Sequence, residues 1–381
     1  MIGGSLHDAR SEDPLGRVRR IAVFRALVLG DMLCALPALR ALRARFPTAH
    51  IALVGLPWAR EWAQRVDEVD EFIAFPGWPG LPEKPCAVED LPDFIADMQG
   101  RRLDLAVQLH GSGGTVNPMI ATWGARRVAA FFEPGAWCPD PDLGCPWPRE
   151  GTEVQRLLCL PHHLGAPAVS HALALPLTDE DRAAAMALLV AQSVSQSVSG
   201  RAGQRLPATS AAPLGERYVV VHPGAQLPSR RWPPARFAQV ADALAEQGCT
   251  VVLTGTAGEA PLAQAVKAAM LHRPLDLVGR TTLWTFGALV EAASLVVCND
   301  TGASHVAAAL GTPSVVISSG SDVSRWAPAD FHTHRVLWAD RECRPCAHAT
   351  CPYPRSCADD IDAAVVLGVA AHMLKRPRSL S

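Results

Sequence analysis

Nowhere in the 381 residues do the roughly 18 uninterrupted apolar side chains of a membrane span occur. The opening stretch from Met1 to Arg20 mixes Gly, Ser, Asp, Glu and Arg, and it lacks the apolar core of a signal peptide. Both absences point to the cytoplasm; peripheral attachment to the inner face of a membrane stays compatible with them, because it requires no span. A surplus of one charge is missing too. The 35 basic and 37 acidic side chains nearly cancel, whereas a general nucleic-acid binder carries an excess of Lys and Arg, so that partner is not expected. After the first apolar strand Gly30 stands alone where a G-x-G-x-x-G turn would need further glycines, which argues against a dinucleotide there. No DxD-like acidic motif stands out to hold a catalytic divalent ion, so no cofactor is expected for catalysis.

What the chain does have is apolar mass. Hydrophobic residues make up 49% and charged residues 19%, so the chain is globular and long enough for two cores. Strands are predicted at Arg20–Phe24, Ile51–Val54, Phe72–Ala74, Leu103–Leu109 and Arg127–Phe131. A helix over Asp31–Phe46 puts Leu39, Leu42 and Phe46 on one face. Within it, Pro37 is tolerable only near the first turns. From Ala191 to Pro213 the composition turns to Ser, Gln, Ala, Gly and Pro without periodicity, and this stretch reads as a linker.

The pattern then restarts. Strands are predicted at Tyr218–His222, Thr250–Thr254, Leu275–Val278, Leu295–Asn299 and Ser314–Ser318. Helices are predicted at Pro234–Gln247, Glu259–Met270, Leu283–Ala293 and Gly302–Leu310. Strands alternating with helices mean α/β halves with parallel sheets, and ligands bind at the carboxyl ends of such strands. The stretch Ile361–Leu374 reads as a helix packing back on the first domain.

Three strand-to-helix junctions carry groups suited to chemistry. In Arg25–Asp31 (RALVLGD) the carboxylate of Asp31 fits a helix cap, or a general base taking a proton from a hydroxyl. In His222–Trp232 (HPGAQLPSRRW), Pro223 and Gly224 turn the chain so that backbone N–H groups approach a ligand. Arg230 and Arg231 there either lie solvated or stabilise a diphosphate. In Asn299–His305 (NDTGASH), Asp300 or Thr301 can cap the helix, Gly302 removes bulk, and the first turn suits an anion; His305 follows one turn in. Glu259, in Thr254–Glu259 (TGTAGE), suits either a ribose hydroxyl or the helix dipole.

Eleven cysteines are many for a cytosolic chain. Cys343, Cys346, Cys351 and Cys357 cluster around His348, at spacings that could close a tetrahedron of thiolates on a structural zinc or iron; plain packing is the other reading.

Together the segments RIAVFRALVLGDMLCALPALRALRARFPTAHIALV, VVVHPGAQLPSRRWPPARF and NDTGASHVAAALGTPSVV resemble the ADP-heptose:lipopolysaccharide heptosyltransferases, glycosyltransferase family nine. The resemblance covers most of residues 20 to 357. It implies the GT-B fold: two Rossmann-like domains whose parallel sheets face a central cleft. Residues 1–19 would be a disordered tail, 20–190 the acceptor-side domain, 191–213 the linker, 214–358 the donor-binding domain and 359–381 a terminal helix and tail.

The implied activity is inverting, metal-independent transfer of a heptose or similar sugar from a nucleotide-sugar donor to a lipopolysaccharide core or related glycan or glycolipid acceptor. Asp31 matches the family's base. Arg230 falls where the family usually has Lys on the donor phosphates. Asp300, Thr301, Gly302 and His305 match the donor loop, with His222, Pro223, Gly224 and Glu259 on the same side. His110–Gly114 (HGSGG) falls on the acceptor side and departs from the family pattern at its tip. A protein acceptor, or a sugar-nucleotide epimerase or binding protein on the same fold, are the alternative readings.

Overall fold

A computed structural model of the chain describes residues 15–198 and 217–375. It divides into two compact units. The first comprises the described residues up to 27, with 37–149 and 156–169; the second comprises 28–36, 150–155 and the described residues from 170 onward.

The elements run β1 (Arg20–Phe24), α1 (Leu29–Arg45), β2 (His50–Gly55), α2 (Arg60–Ala63), β3 (Glu71–Ala74), α3 (Leu91–Gly100), β4 (Leu105–Gln108), α4 (Val116–Ala121), β5 (Arg127–Phe132), β6 (Gly144–Pro146) and α5 (Glu153–His163). These strands form one sheet in the order β3-β2-β1-β4-β5-β6, every adjacent pair parallel. After α6 (Asp179–Val198) follow β7 (Tyr218–His222), α7 (Pro234–Glu246), β8 (Thr250–Leu253), α8 (Ala260–Ala269), β9 (Leu275–Asp276), α9 (Leu283–Ala292), β10 (Leu295–Asn299), α10 (Gly302–Ala309), β11 (Ser314–Ile317), α11 (Val323–Trp326), β12 (His334–Leu337) and α12 (Ala363–Leu374). The second sheet, β12-β11-β10-β7-β8-β9, is also all parallel and repeats the strand order of the first. This is the doubly wound arrangement in each unit, and the strand order reverses between β1 and β4 and between β7 and β10. Ligands of such sheets sit at that reversal, beyond the carboxyl ends of the strands.

The central strands read as unbroken apolar runs because both faces are covered. Val219, Val220, Val296 and Val297 are fully buried, each contributing about 1.5–3 kcal/mol on transfer from water. Around Phe24, Phe75 and Trp123 the first core packs edge to face.

Several expectations change. Two edge strands, β6 and β12, have no clear alternation and escape the pattern. The expected linker begins too early: residues 191–198 continue α6, whose Ala- and Leu-rich middle favours helix, and Gln196 donates to the carbonyl of Pro274 at 2.6 Å. Residues 170–198 accordingly belong to the second unit, while the rest of the expected linker lies outside the described residues. Of the expected tail, Leu15 and Val18 are buried and Arg126 donates to the Leu15 carbonyl, so residues 15–19 belong to the first unit; 1–14 lie outside the described residues. Helix α12 packs within the second unit. Ala363, Val366, Ala370 and Met373 form one apolar face against α7, β10 and β11, so the expected return to the first domain is wrong. Pro37 sits mid-helix in α1, deleting the bond to the Leu33 carbonyl, and the division between units falls at this residue. Among the described residues no helix is long and apolar enough to cross a membrane.

Candidate active site

The second unit gathers the start of α1 with the loops after β7, β8, β10 and β11. Asp31 lies in the first turn of α1, two residues inside the helix instead of at its cap, where a carboxylate still faces the positive end of the dipole. That turn packs against α10. A Cβ on Gly30 would lie 2.5 Å from Cδ2 of His305, and one on Gly302 would lie 3.5 Å from Cβ of Leu29. Cys34, one turn after Gly30, places its Sγ 3.6 Å from Nδ1 of His305. Trp326 closes a further side of the ring, edge to face at 6.1 Å. His305 is therefore a buried, fixed group. The roles of Gly30 and Cys34 were missed, because neither residue type announces a contact with a motif some 270 positions away.

Thr301, not Asp300, caps α10, its hydroxyl accepting from the Ala303 N–H at 3.2 Å. Asp300 is left to a different bond. Its carboxylate accepts from the Ser321 hydroxyl, and that hydroxyl also meets Ser318 Oγ at 2.8 Å. Arg344 ties the same loop down, donating to the Ser318 and Ser321 carbonyls at 2.7 and 3.0 Å.

Arg230 reaches this loop from the other side. Its guanidinium donates to the Ser319 carbonyl at 2.8 Å and also to the Cys346 carbonyl. Asp300 and Arg230 are thus joined through residues 319–321. Further N–H groups of the fork remain for a ligand anion. Arg231 donates instead to the Ala225 carbonyl.

Asn299, absent from the sequence-based site, organises the carboxyl ends of β7 and β10. Fully buried, it accepts from the Trp232 N–H at 3.0 Å and donates to the Pro223 carbonyl at 2.7 Å. Trp232 is also fully buried, its indole N–H on the Ile361 carbonyl. Gly224 lets Glu259 close in, since any Cβ there would overlap the Glu259 carboxylate. Glu259 Oε2 accepts from the N–H and hydroxyl of Thr256, which makes it the partner of a capping box. His222 Nδ1 meets Thr254 Oγ1 at 3.1 Å, and its ring leans on Phe286. Burial pushes the His222 imidazole below its ordinary value despite the opposing pull of Glu259. His222 is consequently neutral at pH 7.

In the first unit, His110 follows β4 and stacks on Phe24 at 4.9 Å. Its Nδ1 accepts the Ala26 N–H, which leaves Nε2–H to donate to Glu83 at 3.2 Å. Burial, the largest single effect, raises the Glu83 carboxyl, but the bond from His110, a backbone N–H bond and the His110 charge together hold the group below its ordinary value. Gly111 and Gly113 take positive φ in the HGSGG loop, and a side chain on Gly113 would strike Asn117.

Cys343, Cys346, Cys351, Cys357 and His348 line one small cavity. Among the described residues, however, no three His, Cys, Asp or Glu side chains gather closely enough to hold a metal ion. The five side chains thus share a cavity without closing into a tetrahedron of ligands among the described residues. The segment instead braces the Arg230 loop: Ser229 N–H donates to the Ala349 carbonyl at 3.0 Å, and Cys346 N–H to the Gly320 carbonyl at 2.9 Å.

Residues 178–356 match the model of glycosyltransferase family 9 (heptosyltransferase). Lipopolysaccharide heptosyltransferase 3 of Escherichia coli is 32% identical over 120 residues, 31% of this chain and 35% of that protein, so this match spans about a third of that relative's length. Lipopolysaccharide heptosyltransferase 2 of Salmonella typhimurium is 28% identical over 331 residues, 84% of this chain and 87% of the relative. A solved structure of ADP-heptose lipopolysaccharide heptosyltransferase II from E. coli aligns with a TM-score of 0.66 and 21% identity, covering 93% of this chain and 98% of that one. The fold is that of the GT-B heptosyltransferases, and the resemblance drawn from the three motifs is borne out.

Proposed function

We propose that this chain, a relative of the family 9 heptosyltransferases, transfers a heptose or similar sugar from ADP-heptose to a lipopolysaccharide core or related surface glycan, with inversion at the anomeric carbon. The carrying observation is the packing of the Asp31 turn on the 302–305 turn, through the gap that Gly30 leaves for His305. This packing supports the reading because it sets the turn that carries Asp31 against the proposed phosphate-binding turn.

The step is a single in-line displacement. Asp31 accepts the proton of an acceptor hydroxyl as its oxygen bonds to the anomeric carbon. The bond from that carbon to the diphosphate oxygen breaks, and nucleoside diphosphate leaves with the bonding pair. One attack gives inversion. Arg230 and the capped start of α10 stabilise the charge that grows on the leaving oxygen. An ordinary aspartate, with pKa about 4, is a weak base, so proton transfer runs late, when the hydroxyl has acidified through bond formation. Neutral His222, Gly224 and Glu259 form the nucleoside side of the donor site, where the Glu259 oxygen not bonded to Thr256 would serve a ribose hydroxyl.

Because fixed positive charge does the work of a divalent ion, the reaction proceeds in chelator. The enzyme acts in the cytoplasm, a location with which peripheral attachment to the inner membrane is compatible. The test is mass-spectrometric detection of a heptose added to heptose-deficient lipopolysaccharide in the presence of ADP-heptose and EDTA. Donor consumption without a glycan product would contradict it.

A further inference from the structure

Beside Asp300, at the carboxyl ends of β11 and β12, lies a shallow groove of about 400 Å³, open to solvent. Its volume is within the roughly 300–1,000 Å³ of ordinary small-molecule sites. Phe331 and Trp338 line it and stay 57% and 49% exposed. Large aromatic side chains left in water at the wall of a groove mark an interaction surface. Asp322 and Asp340 stand on the same lining, and Ser321 and Arg344 form the end toward Asp300. Arg344 is committed to backbone carbonyls.

We propose that this groove is a carbohydrate subsite that holds a neutral stretch of the acceptor glycan beyond the sugar that receives the transfer. The chemistry selects the ligand. A sugar ring offers an apolar C–H face to a flat aromatic plate and a rim of hydroxyls to carboxylates. The negative charge of Asp340 and of Asp322, whose carboxylate caps α11, with the guanidinium already occupied, disfavours a phosphate or nucleotide. Position selects the role. The Ser321 hydroxyl lines the groove and donates to Asp300, so a glycan seated here continues from the proposed donor loop. All the lining residues lie within the second unit. The role, though not the binding, rests on the glycosyltransferase reading.

The experiment is calorimetric titration of the full chain with delipidated, dephosphorylated core oligosaccharide, set beside a titration with ADP. The intact protein binds the oligosaccharide. Trp338→Ala, which removes a half-exposed ring, weakens it at least tenfold, Asp340→Asn weakens it less, and ADP affinity is retained in both. Oligosaccharide affinity unchanged in both variants, or no binding to the intact protein, overturns the proposal. The two readings fail separately. An intact protein that transfers sugar while Trp338→Ala binds glycan normally removes the groove alone. One that binds glycan through Trp338 but never transfers sugar removes the transferase reading and leaves the subsite.

Discussion

Gly30 and His305 are packed so closely that the smallest side chain on residue 30 would sit 2.5 Å from the imidazole. An alanine in a helix normally gains about 1 kcal/mol over glycine. Here the sign reverses, because His305 is buried between Cys34 and Trp326 and has little room to retreat. Gly30→Ala is expected to lower kcat/KM by about tenfold, equivalent to about 1.4 kcal/mol. Adding His305→Ala should make the second loss much smaller than the product of the two single losses. Steady-state kinetics over this double-mutant cycle checks the coupling; full additivity would show that the contact is idle.

The structure supplies a use for the planar guanidinium fork of Arg230. It holds the Ser319 and Cys346 carbonyls together, which a single ammonium cannot span with the same geometry. Arg230→Lys should keep the charge yet lose a charged hydrogen bond, of the order of 1.5–3 kcal/mol. Thermal denaturation should show a lowered Tm and kinetics a higher donor KM. An unchanged Tm would mean that the brace between the two loops is not needed.

Much of this was legible in the sequence, for identifiable reasons. Buried parallel strands such as β7 and β10 are runs of valine, and their ends fell where the apolar run stops. Junction residues Asp31, Arg230 and Asp300 could be singled out because strand-to-helix turns carry ligands. What stayed hidden depends on contacts between distant segments. Asn299 looks like any polar strand end until its amide is seen bridging Trp232 and Pro223. Helix α12 has an apolar face, but nothing in its own periodicity names the surface that face meets. The four clustered cysteines had suggestive spacing, yet spacing does not fix the direction of a thiol.

His334 gives the fold a pH dependence. It is buried on β12, meets Ser314 Oγ at 2.8 Å, and burial lowers its imidazole to about 4 against a modest opposing effect of Asp330. Above pH 6.5 the ring is neutral in both folded and unfolded chains and costs nothing. As pH falls from about 6.5 to about 4, the unfolded chain takes up a proton that the folded chain refuses, and stability falls by about 3 kcal/mol. Below about 4 both forms are protonated and this loss levels off. Urea titrations of the intact protein and His334→Gln should diverge in slope between these limits. Parallel curves would assign the acid sensitivity to other groups.

The most direct test of the central claim is single-turnover transfer from ADP-heptose to heptose-deficient lipopolysaccharide, comparing the intact enzyme with Asp31→Asn. The substitution keeps shape and removes the proton acceptor. The account predicts a fall in rate of at least about a hundredfold, with ADP-heptose affinity unchanged by calorimetry. Near-full turnover by Asp31→Asn would contradict it.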